Sequence, residues 1–356
     1  MSLPSHLLEP HRVQVRTVRV EGASHRERGL ARGRMLAGQI RETSAGYARL
    51  FARKGIAADE RRAAAMASLD ALAEWHPGLH EESLGIAEGA GLELVELGTT
   101  LARTEILTLT PDPPSECSTV TYQQPGASVS AQTWDWYAAF ATSWHRQEVA
   151  PLAGEHAHRG FTEYGMPGKI GLNAAGVGVH LNILRHRDDR AGGVPVHAVL
   201  ARVLAEAGTV AEAVEMIRSA PLSSSSLLTV VGADEVVMVE VAAGRTALLQ
   251  RDGWSVHTNH FLAPELQDGA MLTDPASTTH ERLAYLDEGA GSAPAPGEAG
   301  DLLPMLCSAP DRNCVARLPD PTQPPEDRIA TLATVVIDPA RGQVEVTPGI
   351  PQHAPA

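Results

Sequence analysis

Thr110-Pro-Asp-Pro-Pro-Ser115-Glu116-Cys117-Ser-Thr-Val-Thr-Tyr-Gln123 is the stretch on which the fold turns. Three prolines break a long helical pattern, and the chain changes texture behind them. Upstream, apolar residues recur at helical spacing from Glu27 to about Ala52, from Ala58 to Trp75 and from Pro77 to about Arg103, the last relieved at Gly89-Ala90-Gly91. One alternating run, Val13 to Val20, predicts a half-buried strand ahead of those helices. Downstream, Ser118–Gln123, the turn Pro125-Gly126 and Ser128–Trp134 predict a hairpin that starts at the cysteine.

Further strands are expected at Lys169–Leu172, Gly178–Asn182, Leu227–Val231, Val236–Val241, Thr246–Gln250 and Trp254–His257, with helices Val194–Ala207 and Val210–Ser219 between them. Gly289–Gly300, rich in Pro, Gly and Ala, is expected as a surface loop, and Ile329–Ile337 with Gln343–Val346 as a closing hairpin. Strand runs enclosing helices predict an α+β protein.

Composition narrows the function. The 356 residues can enclose a substantial core. A net charge of −14 disfavours nucleic acid and anionic membrane as partners, and the expected partner is a small molecule. Cys117, Cys307 and Cys314 are too few for a disulfide framework, and no Cys/His spacing suits zinc. The first thirty residues carry no secretory or membrane-spanning apolar run, so a cytoplasmic protein is expected.

Several features carry no chemistry of their own. Gly126-Ala-Ser-Val-Ser130 lacks the last glycine of a nucleophile elbow, Asn173 reads as a turn residue, and Ser223–Ser226 reads as a polar loop. Cys307 and Cys314 read as a buried or idle pair.

Five segments, in order, form a recognisable set: Cys117-Ser-Thr-Val, Thr133-Trp134-Asp135-Trp136-Tyr137, Gly168 to Gly176, His180-Leu-Asn182-Ile-Leu and His257-Thr-Asn259-His260-Phe261. With Glu21-Gly22, Gly29, Gly33, Glu88-Gly-Ala-Gly91 and Arg103-Thr-Glu105 upstream, the chain resembles the acyl-coenzyme A:6-aminopenicillanic acid acyltransferase family along nearly its whole length. The resemblance implies an autoproteolytic cysteine N-terminal-nucleophile enzyme on a four-layer αββα sandwich, the Ntn-hydrolase fold. It implies cleavage between Glu116 and Cys117. Residues 1–116 would then be a pro-segment or subunit that stays as a partner, and 117–356 the chain bearing the nucleophile, together one structural domain. Glu116 stands where the family usually has a small residue, and Gln132 where the more distant bile salt hydrolases carry arginine.

The resemblance also assigns roles. Cys117 is the nucleophile, and Asp135 orients its amino group. Asn259 and Asn182 line the oxyanion hole, and Arg282 stands near the thiol. Thr119, Trp134, Trp136, Tyr137 and His260 are candidate substrate contacts. The chemistry needs these residue types. A freed α-amine with a pKa near 7.7–8.0 can take the thiol proton, and amide donors stabilise a tetrahedral oxyanion without a proton to lose. No metal or bound cofactor is expected, with a coenzyme A thioester as a candidate co-substrate. Hydrolase and transferase remain alternatives, as does an uncleaved binding module, and a homo-oligomer is compatible with all three.

Overall fold

The computed structural model describes residues 7–111, 116–272, 277–307 and 315–351. After a 3-10 turn at Pro10–Arg12 come β1 (Thr17–Val20) and six helices: α1 (His25–Met35), α2 (Ala37–Arg53), α3 (Ala58–Trp75), α4 (Pro77–Ala90), α5 (Leu94–Leu101) and α6 (Arg103–Leu107). The strands β2 (Glu116–Gln123), β3 (Val129–Tyr137), β4 (Trp144–Val149), β5 (His158–Glu163), β6 (Ile170–Asn173) and β7 (Gly178–Ile183) follow. Next are α7 (Val196–Glu206), α8 (Val210–Ser219), β8 (Ser226–Val231), β9 (Val236–Ala242), β10 (Arg245–Leu249) and β11 (Gly253–His257). Last are α9 (Thr279–Ser292), α10 (Leu303–Leu306), β12 (Ile329–Asp338) and β13 (Gln343–Pro348).

The strands form two sheets. The larger has the order β1-β4-β5-β6-β7-β8-β9-β10, and the smaller β11-β2-β3-β12-β13. Among the described strands, only the β1–β4 pairing is parallel. The sheets face each other, with β2 against β7 and β13 against β5. On the outer side of the larger sheet, α7 and α8 bury Val199, Val203, Val214 and Ile217 against Val179, Leu228, Val230 and Val239. On the outer side of the smaller one, Leu286, Ala290 and Leu306 of α9 and α10 cover Val120, Ala131 and Val256. The layer order is therefore αββα. A strand covered on both faces needs no polar side, and all nine residues of β3 are buried.

Helices α1–α6 close the β1/β4 end. Val18, Val20 and Val149 pack there under Leu36, Ile40, Ile86 and Leu97. Helices α1 and α4 approach so closely that a Cβ on Gly29 or Gly89 would strike the backbone oxygen of Glu82 or Leu30. The upstream glycines of the sequence pattern thus set a helix–helix distance. One core joins the segments on either side of residue 116, with Tyr47, Phe51 and Ile106 packed with Trp134, Trp136 and Phe161.

The structure departs from the sequence-based expectations at several places. The run Val13–Val20 is a strand only from Thr17, where pairing with Arg146 begins. The 27–52 helix is two, broken at Leu36, whose backbone (φ −118°, ψ 15°) leaves the helical region. The helix from Pro77 ends at Gly91, in the left-handed conformation with φ 69°. Strands β4 and β5 carry charged and polar residues on a helix-covered sheet, so alternation did not mark them. Part of Gly289–Gly300 is helical: α9 runs to Ser292, and a 3-10 turn from Ala299 buries Leu302.

Candidate active site

Cys117 is the second residue of β2, in the middle of the smaller sheet, directly opposite Trp134 of β3. A cysteine just behind a proline-rich connector is expected at the surface, yet Cys117 is only 4 % exposed. The inter-sheet face of β2 carries Cys117 and Thr119, and the sheet opposite supplies their partners. The Thr119 hydroxyl donates to Asn182 Oδ1 (2.8 Å), and Asn182 Nδ2 donates to the Cys117 carbonyl (3.2 Å). Gln132 Nε2 donates to Thr119 Oγ1, to Asn182 Oδ1 and to the Leu181 carbonyl at 2.8, 2.9 and 3.0 Å.

Asn259 follows β11, the neighbour of β2. Its Oδ1 accepts the Cys117 N–H (2.8 Å) and Arg282 Nη2 (2.9 Å), and its Nδ2 donates to the Ile183 carbonyl (2.9 Å). Arginine can only donate, so the end of the amide facing Cys117 is its oxygen. The residue is held from both sides. Thr279, first residue of α9, accepts the Asn259 N–H (2.8 Å), and the buried Glu240 accepts His257 Nε2 (2.7 Å) and the N–H groups of Leu262 and Ala263.

Arg282, one turn into α9, is fully buried. Its Nη1 donates to the Cys117 carbonyl (2.7 Å) and Ser118 Oγ (2.9 Å). Asp135 lies opposite Glu116 in the ladder, and its Oδ1 accepts the Thr331 hydroxyl at 2.6 Å. Burial pushes the Cys117 thiol up to about 12, with the Asp135 carboxylate adding to the rise; the Asp135 N–H, Lys169 and Arg282 pull the other way.

A cluster that sequence reasoning did not single out lies beside this centre. Glu163, at the end of β5, accepts Arg103 Nε and Nη2 (3.1 and 2.9 Å), Lys169 Nζ (2.7 Å) and the Tyr47 hydroxyl. Lys169 Nζ stands 3.7 Å from the centre of the Trp134 ring, and Arg103 lies 4.2 Å from that of Trp136. Its signal in the sequence was the set of charged residues inside otherwise apolar runs, since buried charges persist only when paired.

A cavity of about 290 Å³ opens next to these groups. Leu107, Trp136, Ile183, Leu184 and Met271 give it apolar walls, and Arg103, Arg185 and Arg187 give it positive charge. Ser224 and Ser225, from the polar loop before β8, also line it. Of the five candidate substrate contacts, Trp136 lines this cavity. Trp134 packs on Phe161 and Trp144, Tyr137 meets Arg53 and Lys54, His260 bonds Thr279, and Thr119 bonds Asn182. Asn173 is a turn residue, its Oδ1 accepting the N–H groups of Ala175 and Val177. Cys307 is a free, half-buried thiol, and Cys314 lies outside the described residues. No helix among the described residues is long and apolar enough to cross a membrane.

Comparison with known proteins gives the family. A curated relative, the 40 kDa form of acyl-coenzyme A:6-aminopenicillanic-acid-acyltransferase from Emericella nidulans, is 31 % identical over 219 residues. That match spans 60 % of this chain and 60 % of the relative's length. Among solved structures, penicillin V acylase from Agrobacterium tumefaciens aligns with a TM-score of 0.40 at 17 % identity, covering 65 % of this chain and 82 % of that one. Residues 122–352 match the family described as Acyl-coenzyme A:6-aminopenicillanic acid acyl-transferase, and with well over half of its length matched, the chain belongs to that family.

Proposed function

We propose that the chain cuts itself between Glu116 and Cys117 and then transfers acyl groups through a Cys117 thioester. The observation that carries this reading is the convergence of Asn182, Asn259 and Arg282, from three separate elements, on the backbone N–H and carbonyl of one buried cysteine. Three side-chain hydrogen bonds to the backbone of one residue, with Arg282 and Asn259 also bonded to each other, are more than packing a small apolar residue requires. They hold the nucleophile in one orientation.

In the cleaved enzyme the Cys117 nitrogen is an amine whose ordinary pKa of about 8 suits it to take the thiol proton. The sulfur attacks the substrate carbonyl, and the amine returns the proton to the leaving group. Asn259 Nδ2, now on the Ile183 carbonyl, is the donor for the oxyanion. The substrate is a small-molecule amide or acyl thioester, coenzyme A thioesters included, with its apolar part against Leu107, Leu184 and Met271. The upstream segment stays bound as a subunit, because Tyr47, Phe51 and Ile106 belong to the same core as Trp134. A reducing, cytoplasmic setting keeps the thiol free.

Denaturing electrophoresis tests the cleavage. Wild-type protein should give fragments of 116 and 240 residues, and Cys117→Ala one chain of 356. A wild-type chain that stays whole through prolonged incubation refutes the proposal and leaves the binding-module reading. Incubation of cleaved enzyme with amides and acyl thioesters, with and without amine acceptors, separates hydrolase from transferase by the mass of the product.

A further inference from the structure

Self-cleavage and turnover pose different proton problems. Turnover can use the freed amine of Cys117, but before the cut that nitrogen is a peptide amide. Its lone pair is delocalised into the carbonyl, and its hydrogen is committed to Asn259 Oδ1. Burial pushes the thiol far from its reactive form. Some other group must take its proton.

We propose that Lys169 is that group: the amine that accepts the Cys117 proton, and the cation that balances the thiolate, while residue 117 is still an amide. The proposal rests on the reading that Cys117 attacks its own upstream carbonyl. Its geometry is local. Lys169 is 1 % exposed, and its Nζ sits 3.7 Å from the ring centre of Trp134, the residue directly across the ladder from Cys117. Paired residues on adjacent strands share a face at about 5 Å between their Cα atoms, so the Cys117 side chain is next to the tryptophan that Lys169 packs on, and the two groups act on each other electrostatically.

Charge balance makes Lys169 the group able to respond. Glu163 is one carboxylate shared by two buried cations, Arg103 and Lys169, and by the Tyr47 hydroxyl. Arginine does not give up its proton in a protein. Arg103 and Glu163 therefore neutralise each other, and the charge in excess is on Lys169. Burial lowers its pKa to about 7; Glu163 opposes that, Arg103 adds to it, and Cys117 raises it. Glu105, on α6 and coupled to Arg103, is raised by burial, also to about 7, so Glu105→Gln is the control that keeps its titration apart from that of Lys169. The remaining titratable groups facing the cluster are fixed in charge near neutrality. His197 on α7 is held well below its ordinary range by burial, Tyr47 well above by the same cause, and Glu163 stays ionised against burial through Arg103 and Lys169. Asp135 and Arg282 flank the thiol with opposite signs and act on it in opposite directions.

The step conserves charge and protons. The S–H bond breaks and its proton goes to Nζ, giving a thiolate beside an ammonium. The thiolate adds to the Glu116 carbonyl carbon, the C–N bond breaks, and the departing nitrogen takes up the proton held on Lys169. Thioester and free amine result, water hydrolyses the thioester, and the new amine serves every later turn.

The test follows freshly translated chain from the moment of synthesis across a pH series, measuring cleavage by electrophoresis. Wild type should cleave faster as pH rises through about 7 and then level off, since the reactive state has one proton fewer than ammonium plus thiol. Lys169→Met should cleave at least about a hundredfold more slowly, with its rise moved up by about 1–3 pH units. Lys169→Arg, which restores the cation, should recover the low-pH rise but not the full rate. A wild-type rise only above about 8.5, the range of an ordinary thiol, overturns the proposal even should Lys169→Met fail to fold. So does a Lys169→Met profile that overlies wild type. If no chain is cut at any pH, self-cleavage fails but the pairing is still read: iodoacetamide labelling of Cys117 in the intact chains must show the same displacement, and identical labelling profiles refute it.

Discussion

Arg282→Met offers the sharpest test of how the site is held. Methionine keeps most of the buried stem and deletes the guanidinium, which makes three bonds of 2.7–2.9 Å to the Cys117 carbonyl, Ser118 Oγ and Asn259 Oδ1. Hydrogen bonds to a charged group contribute about 1.5–3 kcal/mol each, but they share one side chain and do not add. Relieving the burial of a cation offsets part of the loss. The net expectation is a destabilisation of about 3–5 kcal/mol. A larger effect falls on cleavage. Without Arg282 the Asn259 oxygen loses its charged donor, and a misplaced oxyanion donor costs about 100–1000-fold in rate. Urea unfolding reads the first quantity, and the time course of the 116- and 240-residue fragments reads the second. Arg282→Lys keeps the charge without the fork and should fall between the two. If Arg282→Met unfolds and cleaves as wild type does, the guanidinium neither holds Asn259 nor supports the Cys117 peptide.

Leu107→Trp should fill much of the 290 Å³ cavity and raise KM for a bulky acyl substrate at least about tenfold while leaving self-cleavage unchanged; slowed cleavage would mean that the cavity belongs to the cut site instead. Gly29→Ala should drive α1 from α4 and cost about 1–3 kcal/mol in urea unfolding, since its Cβ would meet the Glu82 carbonyl. In acid, Glu82 should be a weak point. Burial works against its charge, but His25, Arg28 and Arg32 hold its pKa down to about 2, from 4.5. A carboxylate lowered on folding stabilises above its unfolded pKa and loses that contribution as pH falls toward the folded one, here about 3 kcal/mol between roughly pH 5 and pH 2. Glu82→Gln should flatten the fall in urea midpoint over that window, and an unchanged slope would remove Glu82 from the account.

Local periodicity made much of the fold legible. The hairpin at Cys117, the strands from β6 to β11, helices α7 and α8 and the closing hairpin all carry clean patterns, because each has an apolar face that must be covered. Helix breaks at Leu36 and Ala102 were not legible, since neither residue disfavours helix and packing alone bends the chain there. Strands β4 and β5 escaped for the opposite reason: Arg146, Gln147 and Glu163 are polar residues with partners far away in sequence.

For the candidate site, the sequence supplied through its family resemblance the set Cys117, Asp135, Asn182, Asn259 and Arg282, because the order of residue types is a property of the chain as text. Who touches whom was decided by the tertiary structure. Asn259, rather than Asp135, receives the Cys117 N–H, because β11 lies beside β2 and Arg282 turns the amide oxygen toward it. Asp135 accepts the Thr331 hydroxyl of β12 and acts on the thiol through its charge. The charged neighbours Arg103, Glu163 and Lys169 come from α6, β5 and the turn before β6, and only the packing of helix and sheets brings them to one buried point. Burial is what gives them their force. The same charges spread on a surface would be screened by water, and no pattern along the chain records how much water is left.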